Sequence, residues 1–520
     1  MRTLKDIDVS GKKVIVRAGL DVPLDVNKDL LDPDRVIDDT RINDVIPTLK
    51  YLVENNAKII LAAGWCGRPK GEDPDYSMAP VAKKIELILE DTLKHDVLIA
   101  PNCFRDKKPK SVYKNQDEVK DIVESLQEGQ IVVLENVRYD PEANANDKDF
   151  SEFVASLAGK KAVYVNDAET QNHRPEATVV TVPLIIAENG GEVVFGFKYA
   201  DVLENIGGLK QKLEDPKRGS FVFGLCGKKI ESDPGITSKI TVAKDLIDIM
   251  RQGDSIITGG AVIYTFLLAQ NYSSKIEENI AKVNKIVKEY NTKILTQTKN
   301  VKDKKQTKKI TEEIQKQKSD ELKSLLGIKD TEIKELIGDS YIRWGQEGEQ
   351  IVFANSVLDK ANSKGVEIIT AFDHTITNEV PDKSGNLPEG SEVKIFENST
   401  GIPSGFLGVG EGTKTLEKIS NIIENAKIYL QSGPYSIEDQ RVEDVSKTDA
   451  VTFAAIIKCK DNGGITIAAG GDTVARVHTR NATGAFSTIT SAGGATLELI
   501  NGESKGRDAV LEANKLKNNS

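Results

Sequence analysis

Lys13-Val14-Ile15-Val16-Arg17 is the run on which the fold turns. Three β-branched residues in succession, between polar and glycine-bearing turns, read as a short buried strand. Four runs of the same kind follow: Ala57–Ala63, Val97–Ala100, Ile131–Leu134 and Ala162–Val165. Helical patterns lie between them at Asp44–Asn55, Met78–Lys94 and Asp147–Ala158. This alternation predicts a parallel sheet with crossover helices on its faces.

The pattern then repeats. Residues 196–215 read as a helix with Leu203, Ile206, Leu209 and Leu213 on one side, ended by Asp215-Pro216-Lys217-Arg218-Gly219. Strand-like runs resume at Ser220–Leu225, Ser255–Thr258, Glu367–Ala371, Ala426–Leu430 and Ile465–Ala468. Two α/β domains joined near 196–216 are expected. Residues 272–350 break the alternation. They are rich in lysine, and Ile310, Ile314, Leu322, Leu325 and Leu326 have rough helical spacing. One or two amphipathic helices are predicted there, as a solvated, partly mobile excursion or as a docking helix for a protein partner. Deleting 299–335 is expected to leave thermal stability nearly unchanged.

Charge and composition exclude several classes. The 520 residues carry a net charge of −10, which disfavours a general nucleic-acid binder. No stretch reaches the roughly 20 apolar residues of a membrane helix, and Met1–Asp6 lacks the apolar core of a secretory signal. Cys66, Cys103, Cys226 and Cys459 are far apart, as are the four histidines. A disulfide scaffold and a His-built metal centre are therefore disfavoured, and a reducing cytoplasm fits.

Arg41, Arg68, Arg138 and the pair His173-Arg174 all follow predicted strands or turns in the first half. Loops at the carboxyl ends of parallel strands converge on one edge, where such arginines would form a basic bowl for a small, multiply anionic ligand. In the second half, Ala469-Gly470-Gly471-Asp472-Thr473 precedes a helical stretch. Glycines let a backbone approach a phosphate, and a helix N-terminus favours anions. Asp472 is a candidate ligand for Mg²⁺. Lys229, in Gly224-Leu225-Cys226-Gly227-Lys228-Lys229, could reach a transferring phosphoryl group. No G-x-x-x-x-G-K-[ST] loop is present.

Together these residues resemble phosphoglycerate kinases over nearly the whole chain, outside 272–350. The signatures include Asp38-Asp39-Thr40-Arg41-Ile42, Gly67-Arg68-Pro69-Lys70-Gly71, Leu134-Glu135-Asn136-Val137-Arg138, Val165-Asn166-Asp167-Ala168, His173-Arg174, Gly433-Pro434, Gly470-Gly471-Asp472-Thr473 and Gly493-Gly494-Ala495-Thr496-Leu497-Glu498. The resemblance implies two Rossmann-like three-layer domains. Residues 1–195 would form a phosphoglycerate-binding lobe, 196–216 a hinge, and 217–485 a nucleotide lobe. Residues 486–520 would return to the first lobe. It implies binding of 3-phosphoglycerate or 1,3-bisphosphoglycerate by Asp21, Arg41, Arg68, Arg138, His173 and Arg174. It implies Mg²⁺ with ADP or ATP on Lys229, Gly259, Gly260, Gly408, Gly433, Pro434, Asp439, Gly470, Gly471, Asp472 and Thr473, with Asp472 on the metal. Arg41, Lys229 and Lys239 would serve the migrating phosphoryl group, in a cytoplasmic monomer that spans no membrane and binds no nucleic acid.

The chain departs from that pattern at the site. The family's Asp-Phe-Asn reads Gly19-Leu20-Asp21, a histidine has become Trp65, and a second histidine has become Glu176. Of two active-site lysines, Lys229 matches the first; the second is lost at Asp233 or Pro234, or displaced to Lys239. The glycine turns are thinned at Thr258-Gly259-Gly260 and Ala469-Gly470-Gly471, and the ribose-contacting glutamate reads Asp439 beside Glu438. Two readings compete: a divergent working kinase, and a pseudoenzyme that keeps the fold as a binding or structural module.

Overall fold

The computed structural model describes every residue except 64–66, 68, 70, 106–112, 141–142, 144–145, 228–238, 299–303, 343–344, 383, 398–400, 440, 493–495, 497–498, 501, 503 and 520. The chain divides into two compact units, Met1–Leu209 with Glu498–Ser520, and Lys210–Leu497.

The first unit is built on β1 (Lys13–Ala18), β2 (Lys58–Ala63), β3 (Leu98–Ile99), β4 (Ile131–Val133), β5 (Val163–Asp167) and β6 (Glu192–Phe195). Their order is β3-β4-β2-β1-β5-β6, with every pairing parallel. All carboxyl ends therefore share one edge. Val14, Val16, Ile59, Leu61 and Val163 are sealed in the core with Leu49 and Leu52 of the helix Thr40–Glu54. Asp167 ends β5 and accepts hydrogen bonds from the Tyr199 amide (2.8 Å) and Thr48 Oγ1 (2.6 Å). It thereby anchors the helix Phe197–Asn205. Gly196 permits this approach, because a Cβ there would lie 2.3 Å from Asp167 Cγ. The helix Lys505–Asn519 packs on the helix Ala177–Glu188, with Val510 and Ala513 fully buried. Tyr199 Oη and Ser504 Oγ meet at 2.6 Å, and Asn514 Nδ2 donates to the Val193 carbonyl at 3.0 Å.

The second unit carries β7 (Phe221–Leu225), β8 (Ser255–Thr258) and β9 (Glu367–Ile369). An antiparallel sheet follows, of β10 (Asp373–Thr377), β11 (Val393–Glu397) and β12 (Leu407–Glu411). Then come β13 (Ile428–Ser432), β14 (Ile465–Ala469) and β15 (Thr488–Thr490). The main sheet runs β15-β14-β13-β7-β8-β9, again all parallel.

Three expectations need correction. The predicted 196–215 helix is two helices, Phe197–Asn205 and Leu209–Glu214. They part at Gly207-Gly208, although the predicted apolar stripe is buried. Residues 486–497 belong to the second unit, because Thr488–Thr490 pairs with β14; the return to the first unit starts at Glu498. Residues 272–350 hold more helix than expected: Ile280–Thr298, Lys304–Leu326 and Asp330–Ile337, flanked by Val262–Glu278 and Glu347–Lys364. This segment is packed on its own unit. Leu322 and Ile333 are fully buried, Ile314 and Leu326 are nearly so, and the buried Lys318 pairs with Glu349 at 2.6 Å. Gly348 lets two helices touch: its amide donates to Ser319 Oγ at 3.0 Å, and a Cβ would lie 2.4 Å from the Ser319 carbonyl oxygen.

Candidate active site

In the first unit, the carboxyl ends of β1, β2, β4 and β5 present a network of charge. Gly19-Leu20-Asp21 leaves β1. The Asp21 carboxylate accepts from the Gly67 amide at 3.0 Å and lies 3.7 Å from Arg41 Nη1, which also donates to the Asp21 carbonyl at 2.6 Å. Asp21 is therefore screened by Arg41, as a carboxylate beside an anion site requires. Leu134-Glu135-Asn136-Val137-Arg138 leaves β4. Its Asn136 caps a 3₁₀ turn by accepting from the Arg138 amide at 3.1 Å, and Glu135 caps the helix Ala79–Ile88 through the Met78 amide at 3.0 Å. This scaffolding aims Arg138 across the edge, where Nη1 donates to the Gly67 carbonyl at 2.8 Å.

Arg17, which the sequence reading did not place in the site, is completely buried. It donates from Nε to Thr178 Oγ1 at 2.8 Å and from Nη2 to Glu176 Oε2 at 3.1 Å. A guanidinium at the end of an apolar strand run is the signal that could have found it. Glu176 is 3 % exposed, and its Oε1 has no hydrogen-bond partner among the described residues. Burial pushes its carboxyl above the ordinary range, against the pull of Arg17, Arg138 and Arg174. Arg174 Nε donates to His173 Nε2 at 3.2 Å. Burial, reinforced by the Arg174 charge, lowers the His173 pKa to about 4, so the ring is neutral at pH 7. A neutral ring accepting at Nε2 carries its proton on Nδ1, which is buried and unpartnered among the described residues. Arg68 and Trp65 lie outside the described residues.

Glu176 sets the charge of this cluster. Glu176→Gln is expected to tighten binding of inorganic phosphate about tenfold at pH 8, roughly the weight of one charged contact. The raised pKa gives the sign of the pH dependence. As pH falls the native carboxyl takes up its proton, so the variant's advantage shrinks. Phosphate titrations by calorimetry at pH 6 and pH 8 check this.

The second unit gathers glycine turns. The Gly227 amide donates to the Gly259 carbonyl at 3.1 Å, and the Cys226 amide to the Ser432 carbonyl at 2.9 Å. Gly260 has φ +60°, and a Cβ there would sit 3.1 Å from both the Gly227 amide nitrogen and the Pro434 carbonyl oxygen. The Gly433 amide donates to Thr473 Oγ1 at 2.7 Å, and that hydroxyl donates to the Ala469 carbonyl at 2.8 Å. Thr473 thus joins the β13 and β14 loops. Gly470, with φ +97°, caps the helix Gly471–Thr479, whose first turn exposes Asp472. At Gly471 a Cβ would meet nothing within 4 Å.

Two predicted nucleotide contacts, Gly408 and Asp439, also have duties within the fold. A Cβ at Gly408 would lie 1.6 Å from Tyr264 Oη, so this glycine makes room for a tyrosine. Asp439 is 1 % exposed and its carboxylate is filled by Arg441 Nε (2.9 Å), Arg441 Nη2 (2.7 Å) and the amides of Leu387 (2.8 Å) and Arg441 (3.0 Å). The adjacent Glu438 carboxylate is bound by Arg476 at 2.7 Å and Arg480 at 3.3 Å. Lys229 lies outside the described residues; Lys239 opens the helix Lys239–Ile249, with only its backbone described.

Glu411 was not foreseen. It is 1 % exposed beneath the glycine turn, and its Oε1 accepts from the Gly260 amide at 3.2 Å. Burial pushes its pKa up to about 8, and Asp449 adds to the rise. The folded chain therefore holds this proton where the unfolded chain releases it, so stability falls as pH rises from about 4.5 through 8. The loss at this residue is up to roughly 5 kcal/mol. Glu411→Gln is expected to remove that slope, as urea unfolding of both proteins at pH 5 and pH 8.5 would show.

A parallel-sheet unit edged with arginines and a parallel-sheet unit edged with glycine turns, in one chain, define a class of phosphoryl-handling α/β proteins. The family model described as phosphoglycerate kinase matches residues 4–336 and 330–503, running through 272–350 as well. The phosphoglycerate kinase of Aquifex aeolicus is 30 % identical over 503 residues, covering 96 % of each chain. That of Anaeromyxobacter is 27 % identical, covering 98 % of this chain and 99 % of its own. The crystal structure of the phosphoglycerate kinase from Pyrococcus horikoshii covers all of both chains with a TM-score of 0.64 at 19 % identity, a likeness of fold. The chain belongs to the phosphoglycerate kinase family. Its class is that of a kinase, and the matches lend no support to the pseudoenzyme alternative.

Proposed function

We propose that the chain transfers a phosphoryl group reversibly between 1,3-bisphosphoglycerate and ADP, giving 3-phosphoglycerate and ATP. One observation carries this reading: basic side chains gathered on the first sheet's carboxyl edge. Hydrogen bonds run from Arg41 through Asp21 and Gly67 to Arg138, and Glu176, bound by Arg17, feels the charges of Arg138 and Arg174. Such a network suits a small acid with phosphate at one end and carboxylate at the other. Towards 1,3-bisphosphoglycerate, a carboxylate oxygen attacks the terminal phosphorus of ATP. The new P–O bond forms as the bond to the ADP oxygen breaks, and ADP leaves with that electron pair. Arg41 and Lys229 neutralise charge on the migrating group, so that catalysis is mostly positioning and electrostatics. Arg138 and Arg174, with Arg68 by family likeness, hold the acceptor's phosphate, and the buried Arg17 holds Glu176 beneath them; His173 offers Nδ1–H.

The nucleotide's phosphates lie against the glycine turns at Gly259-Gly260, Gly433-Pro434 and Gly470-Gly471. Magnesium suits the donors there. Among the described residues no group of three or more acidic, His or Cys side chains could hold a metal. Asp472 offers one exposed carboxylate, and Mg²⁺ commonly takes one or two carboxylates plus phosphates and water. Asp472 would hold it, and the bound ion would neutralise phosphate charge. No helix among the described residues is long and apolar enough to cross a membrane. Cys103 and Cys459 are buried thiols outside any disulfide, which suits a cytoplasmic enzyme. The test is a coupled turnover assay of the full chain with 3-phosphoglycerate and Mg-ATP. Folded protein without turnover would overturn the reading.

A further inference from the structure

The side chain missing at Gly19 leaves a space that two polar groups enter. A Cβ built there would lie 2.6 Å from Thr170 Oγ1, 2.8 Å from Gln171 Oε1 and 3.4 Å from Gln171 Nε2. Gln171 is 3 % exposed. Neither its Oε1 nor Thr170 Oγ1 has a hydrogen-bond partner among the described residues. Both are carried on the 3₁₀ turn Glu169–Gln171, which directly follows β5. Gly19 directly follows β1, whose Ala18 pairs with Asp167 of β5, so the two loops leave adjacent strands. Asp21, two residues beyond Gly19 on the first loop, lies 3.7 Å from Arg41 Nη1.

Buried polar atoms are nearly always satisfied, and an unsatisfied one costs about 1–3 kcal/mol. A buried amide oxygen against the loop that carries Asp21, with no donor among its described neighbours, is matched by a ligand that brings an O–H. Resting on the acceptor assigned above, we propose that Gln171 Oε1, with Thr170 Oγ1 beside it, accepts the hydrogen bond of the acceptor's 2-hydroxyl and selects 2-hydroxy acids over their deoxy analogues. Gln171 is a specificity residue, and it touches no atom that changes bonding. The neutral amide suits this place better than a second carboxylate, because Asp21 already faces the anion. It also bears on Gly19→Asp: the added side chain would have to displace the Gln171 amide.

The test compares two ligands, 3-phosphoglycerate and the same molecule lacking its 2-hydroxyl, 3-phosphooxypropanoate. Their dissociation constants are measured by calorimetry on the full chain and on two variants. The native chain is expected to prefer the hydroxylated ligand about tenfold, the value of one hydrogen bond. Gln171→Met, close in volume, is expected to bind both alike. Gln171→Glu, which keeps an acceptor oxygen, is expected to retain a preference. Equal binding by the native chain, or an undiminished preference in Gln171→Met, overturns the proposal. If the native chain binds neither ligand, the assignment of the acceptor itself fails, and this inference with it.

Discussion

Excising residues 299–335 is expected to cost the chain the stable fold of its second unit. Composition alone points the other way, since a lysine-rich stretch reads as a dispensable excursion. The packing decides. The deletion removes Ile314, Leu322, Leu326, Ile328 and Ile333, each at most 6 % exposed. Truncating a single buried leucine or isoleucine to alanine typically costs about 2–5 kcal/mol. A whole domain is typically stable by only about 5–15 kcal/mol. The excision also removes Lys318, leaving the Glu349 carboxylate without its 2.6 Å ion pair, and Ser319, which accepts from the Gly348 amide. Circular dichroism should show lost helix and a broad early transition, whereas Leu322→Ala should keep the fold and lower its stability by about 2–5 kcal/mol. An unchanged Tm in the deletion would mean that these helices do not pack as described.

Arg41→Ala is expected to lower kcat by about 10³-fold or more, the scale on which an arginine at a transferring phosphoryl group acts. Arg41 is suited to that task because its guanidinium is positioned yet accessible. Its side chain is 29 % exposed, held by the Asp21 carbonyl at 2.6 Å and lying 3.7 Å from the Asp21 carboxylate. The fold should survive. Arg41 is the second residue of the helix Thr40–Glu54, whose packing comes from Ile42, Val45, Leu49 and Leu52. A surface substitution of this kind usually changes stability by about 0.5 kcal/mol or less. The informative signature is a fall in kcat larger than any rise in KM, because the charge it meets develops mainly in the transition state. Undiminished turnover would remove Arg41 from the mechanism.

The sequence by itself determined the local elements and the chemical types. Val14-Ile15-Val16 and its later counterparts are strands because β-branched runs of that length suit a buried parallel sheet. The arginines at 41, 138 and 174 were legible as site candidates because loops after such strands share an edge. Ordering β2 beside both β1 and β4, and β13 beside β7, joins residues far apart in the chain, and no local period encodes that. The same holds for the side chains with the most consequence. Glu176 reads as an intruding charge, but only its burial beside Arg17 shows that the carboxyl is driven towards its neutral form. Asp439 reads as a ligand in the sequence, and only the structure shows that Arg441 and the Leu387 amide bind its carboxylate. Gln171 reads as an ordinary turn residue until the space beside Gly19 is seen to hold its amide. Composition and period fix what a side chain is and which way its backbone runs; desolvation and partner choice depend on what the tertiary structure brings within a few ångströms, and these decided the site.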